Sequence, residues 1–77
     1  MDDTSIHEDI SRLVAEEHAL RAAPPRTDAD RARLAELEVR LDQCWDLLRQ
    51  REARRDAGQA PSAAEVRPAD EVEGYLQ

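Results

Sequence analysis

The sequence predicts an all-α fold: an antiparallel helical hairpin with a long second helix, paired with a second copy as a four-helix bundle or coiled coil. Three observations lead there. Leu34, Leu41 and Leu48 recur every seven residues, and Leu37 and Cys44 fall between them, which draws one apolar seam along a helix. A shorter stretch at Ile6, Ile10, Leu13, Val14 and Leu20 carries the same helical period. Between the two stand Pro24 and Pro25, which cannot continue a helix.

The first helix is expected over about Ser5 to Ala22, after an acidic leader. Ser5 and Glu8 have capping-box spacing, and Asp9 places negative charge near the positive end of the helix dipole. Glu17 interrupts the apolar stripe and belongs at its edge, supported by Arg21 one turn on. Ala23 to Thr27 read as the hinge.

Thr27 or Asp28 caps the second helix, with Asp30 completing an acidic capping box at Thr27. The run from Asp30 to Arg55 contains no Gly or Pro and is rich in helix formers. Gly58 terminates it. Val39, Trp45 and Leu47 lie beside the seam rather than on it. Glu38, Asp42 and Asp46 form an acidic face that should meet solvent or a basic partner. At 1.5 Å per residue the first helix is about 27 Å long and the second about 40 Å, so Arg49, Arg51, Arg54 and Arg55 should overhang the hairpin.

Residues 1–58 therefore make a hairpin domain, and residues 59–77 a Pro-containing acidic tail. Ser62 to Glu65 can cap a brief helical turn. Val72 with Tyr75 or Leu76 can share one face of a short docking helix; the other reading is a flexible tail.

Composition narrows the function. With 77 residues, no Phe, one Trp and one Tyr, a lone hairpin has little core, which favours self-association through Leu34, Leu37, Leu41, Cys44 and Leu48. A net charge of −7 argues against general attraction to nucleic acid or an anionic membrane. One cysteine forms no internal disulfide, and no secretory or transmembrane pattern is present, so the cytoplasm is the expected compartment.

No motif assigns catalytic, cofactor-binding or metal-binding residues. His7 and His18 are separated by roughly 16 Å of helical rise and cannot share one ion within a straight helix. Cys44 on the seam reads as a small hydrophobe. Trp45 is expected to pack at a helix boundary, and the other reading is an exposed binding hot spot.

IHEDISRLVAEEHAL at residues 6–20, the LDQCWDLLRQR run at residues 41–51 and EGYL at residues 73–76 carry a resemblance. The chain resembles a family of small actinobacterial proteins known as a domain of unknown function. That resemblance implies a compact cytoplasmic helical protein and no known catalytic residue, cofactor or substrate, and it draws interest to Trp45, Arg49, Arg51 and Tyr75. The expected function is a non-enzymatic protein-interaction or adaptor module, with Trp45, Arg49, Arg51, Arg54, Arg55, Val72, Tyr75 and Leu76 as recognition residues. The alternatives are a nucleic-acid-associated regulator using the Arg49–Arg55 helix end and, less favoured, a metal- or thiol-dependent enzyme built on His18, Glu17 and Cys44.

Overall fold

The computed structural model describes residues 2–22 and 27–76, with side chains as far as residue 72. The expected hinge at Pro24 and Pro25 and the side chains of Tyr75 and Leu76 lie outside the described residues. Three helices form in order: α1 (Asp3–Ala22), α2 (Asp28–Asp56) and α3 (Ala69–Leu76), with a 3-10 turn at Pro61–Ala63 before α3. The long α2 is the central element. It packs against α1 along one side and against the 3-10 turn and α3 along another, and among the described residues α1 and α3 do not meet.

Local chemistry explains the helix ends. The Asp2 carboxylate accepts the Ser5 N–H at 2.8 Å, so Asp2 caps α1 and Ser5 lies inside the first turn. This corrects the expected start at Ser5, and the same bond holds the Asp2 carboxyl below its usual range. Thr27 caps α2 as its sequence indicated: its hydroxyl accepts the Asp30 N–H at 3.1 Å while Asp30 accepts the Thr27 N–H at 3.2 Å. At the other end Gly58 adopts φ +74°, and the Gly58 and Gln59 N–H groups close back onto the carbonyls of Arg55 and Arg54. This paired closure is the Schellman arrangement, which satisfies two otherwise orphaned carbonyls. The turn after it starts at Pro61 without a side-chain cap, not at Ser62.

Leu34 and Leu37 are buried within one chain, and Ile6, Ile10 and Leu47 form a core cluster. Val14, Leu41, Cys44, Leu48 and Ala64 pack partly buried against that cluster. Much of the seam is thus covered inside a single copy. Leu47, read from sequence as lying beside the seam, belongs to the core. An a/d seam is a narrow stripe, but α2 is covered on two sides, so a wider arc of it is buried.

Beyond Leu48 the seam turns polar. Arg51 and Arg55 pair with the two oxygens of Asp3, and the Arg51 side chain is only 12% exposed. The expected arginine overhang is therefore corrected: the start of α1 reaches Arg51 and Arg55. The Arg55 and Arg51 guanidiniums hold the Asp3 carboxyl below its ordinary value. Toward the hinge end, Arg33 grips Glu16 through two N–H groups, and Arg21 donates to Glu38 at 3.0 Å while lying 3.4 Å from Glu17. These pairs fix the antiparallel direction of α1 on α2.

The molecule measures 49 × 25 × 15 Å. A helix with its side chains is about 10–12 Å across, so the short axis is one layer of helices. A radius of gyration of 14.5 Å exceeds the about 11–12 Å expected of a compact chain this long.

Candidate interaction surfaces

One surface is aromatic. Trp45 is 45% exposed, and its ring stands edge-to-face on His7, with centroids 6.2 Å apart and planes at 78°. Residues 7 and 45 come from α1 and α2, so the pair bridges the two helices on an open side of the layer. Of the two sequence readings of Trp45, the structure places it at a helix boundary and exposed at once.

A second feature is a groove of about 300 Å³ between α1 and α2, with Ile6, Leu13, Cys44 and Leu47 along it. Its charged rim is internally satisfied: Arg33 pairs with Glu16 and Glu36, Arg40 with Glu36, and Arg12 with Asp9. Arg33 neutralises Glu16 strongly enough to lower that carboxyl's pKa. Burial, followed by the charge of Asp9, pushes the Cys44 thiol up, which disfavours the reactive thiolate. His18 is exposed and, like Glu17, does not line this groove. Among the described residues, no group of three or more His, Cys, Asp or Glu side chains could hold a metal ion.

The third feature was legible in the sequence only as a short docking helix carrying Val72; the polar contact that holds it was not foreseen. Residues 59–72, here the strap, run back from Gly58 along α2. Asp46 is 1% exposed, and the Arg67 guanidinium closes on both of its oxygens, with Nε 2.9 Å from Oδ2. Gln50 Nε2 donates to the same Oδ2 at 2.9 Å and to the Glu65 carbonyl at 2.7 Å, and Gln43 Nε2 donates to the Arg67 carbonyl at 3.1 Å. Burial alone would raise a carboxyl pKa. Here the Arg67 hydrogen bonds outweigh it and hold Asp46 below its usual range, while Asp46 raises Arg67 in turn. Val72, at 0% exposure, is the strap's apolar anchor, and Val66, just before Arg67, is 59% exposed.

Asp46 was grouped by sequence with Glu38 and Asp42 as an acidic face seeking solvent or a basic partner. Its basic partner is Arg67 of the same chain. Two signals mark the arrangement. Gln43, Asp46 and Gln50 recur at helical spacing inside the LDQCWDLLRQR run, and Arg67 is the sole basic residue after Arg55.

Of the proposed recognition residues, Arg49 and Arg54 are half-buried, and Arg54 donates to the Gln59 side chain at 3.4 Å. Arg51 and Arg55 are engaged with Asp3 as described, and Val72 is the buried anchor of the strap itself.

The sequence model described as "Protein of unknown function (DUF2630)" matches residues 2–77. The chain belongs to the DUF2630 family. Proteins named only as uncharacterized in Mycobacterium bovis and in two strains of Mycobacterium tuberculosis are each 53% identical over 70 residues, covering 86% of this chain and 80% of theirs. No solved structure matches this member of DUF2630. Among the described residues, no helix is long and apolar enough to cross a membrane.

Proposed function

We propose that this DUF2630 member is a non-catalytic, cytoplasmic protein-interaction module that self-associates and offers the Trp45–His7 surface as its contact. The observation behind this reading is a tryptophan 45% exposed on a one-layer fold. A large aromatic left wet on an open face is the side chain that contributes most when an interface covers it. A face of 49 by 25 Å has room for the about 800 Å² per partner that a stable interface buries. Leu41 and Leu48, only partly buried, supply apolar surface on the same helix.

Sedimentation equilibrium across the micromolar range tests the self-association, with tryptophan emission followed over the same concentrations. A mass rising toward a dimer with a blue shift of emission is expected, and Trp45→Ala should return the chain to a monomer. A monomer mass throughout would sink self-association. A dimer whose Trp45 emission never moves would place the contact on another face. The nucleic-acid alternative draws less support, because it needs free arginines at the α2 end and Arg51 and Arg55 are engaged with Asp3.

A further inference from the structure

We infer that the face of α2 carrying Gln43, Asp46 and Gln50 is a binding surface for an arginine-bearing peptide segment, and that the strap is its resident, detachable ligand. This surface is distinct from the Trp45 side and goes beyond the reading above.

The way the strap is held resembles peptide recognition more than core packing. Residues 64–68 have no regular secondary structure, and Ala64 has extended φ and ψ of −67° and 142°. Two glutamines on α2 read the backbone carbonyls of this extended stretch, at Glu65 and Arg67. Such contacts hold a chain of almost any sequence. Selectivity then falls to two side chains: Arg67, forked onto a buried carboxylate, and Val72, buried five residues later. Smaller apolar contacts accompany them: Val66 borders the groove between α1 and α2, and Ala64 packs against the Ile6, Ile10 and Leu47 cluster.

Three observations make the strap separable from the hairpin. An open surface cleft of about 430 Å³, bordered by Gln50 and Arg54 of α2 and by Glu65 and Glu71, runs along the edge of the contact. Among the described residues α3 does not approach α1, and the strap reaches the Ile6, Ile10 and Leu47 cluster through the small Ala64. The connection starts at Gly58, which has a positive φ and open space where a side chain would stand, and where α2 has already closed its own carbonyls.

This geometry gives Arg67→Gln a defined outcome. A carboxylate stranded in the closed state is costly, but Asp46 regains water as soon as the strap lifts. The variant therefore opens locally and keeps the α1–α2 hairpin.

The test uses full-length protein and a fluorescent peptide spanning residues 59–77, read by anisotropy. The wild-type peptide should bind the Arg67→Gln chain saturably. It should bind the wild-type chain, whose own strap occupies the site, at least tenfold more weakly. A peptide carrying Arg67→Gln should lose binding, as should a chain carrying Asp46→Asn together with Arg67→Gln. Equal binding to both chains, or none to the Arg67→Gln chain, overturns the proposal. Hydrogen exchange on the wild-type chain gives an independent check that needs no variant. Strap amides should exchange at least tenfold faster than those in the middle of α2, and identical protection would make the strap part of one cooperative core.

Discussion

The two sides of α2 are held by different physics. Against α1, contact runs through Ile6, Ile10 and Leu47, with ion pairs toward the two ends. Against the strap, a buried carboxylate, a guanidinium and two side-chain amides do most of the joining, and Val72 supplies the deepest apolar contact. Apolar packing is non-directional and tolerates any partner of the right shape. A forked Arg–carboxylate pair is directional and accepts one chemistry. The comparison teaches that a single helix can carry a permanent interface and a conditional one, distinguished by what lines each side.

The largest expected effect breaks the permanent side. Leu37 is fully buried, so Leu37→Ala should lower global stability by about 2–5 kcal/mol in urea unfolding followed by circular dichroism. Leu41→Ala, at a half-buried seam position, should cost clearly less. Equal losses would mean that Leu41 is as well covered as Leu37, as by a second copy.

Val72→Ala sharpens the contrast on the conditional side. Removing two buried methyl-sized groups should cost about 1–2 kcal/mol, confined to strap protection in hydrogen exchange. An equal loss at mid-α2 amides would show that both interfaces open together.

A smaller effect comes from pH. The Asp46 carboxyl is depressed in the folded chain, so its contribution is present above the unfolded value of about 3.9 and disappears as pH falls through the lower folded value. Carbon NMR of the Asp46 carboxyl should show a titration midpoint below about 3.9, with strap resonances shifting in step. A midpoint at or above that value would mean that Arg67 does not hold the carboxylate in solution.

What could be read from the sequence follows the same division. The seam, the Thr27 capping box and the Gly58 terminus are local patterns of spacing and residue type, and the structure contains each of them. Leu47 was misplaced because the heptad rule assumes one neighbour and α2 has two. Asp46 was misread because like charges at neighbouring turns argue for solvent only while the rest of the chain is ignored. Its partner is 21 residues away, beyond a helix terminus and a proline. Periodicity reports which face of a helix is buried; it carries no information about which distant side chain arrives there. The start of α1 was missed for a local reason, since Asp2 rather than Ser5 caps it, while the two arginines that Asp3 gains from the far end of α2 lie beyond any local pattern.

Gly58 fixes how far the strap can stray. Only eight residues separate it from Arg67, so a lifted strap stays tethered within a small volume around its own site. Short flexible tethers hold a ligand at an effective concentration in the millimolar range. A free segment with the same two anchors would have to approach that concentration to compete. Cellular partners at micromolar levels would displace the strap only by making contacts it lacks, so the tether length itself sets an affinity threshold and screens out weak imitators.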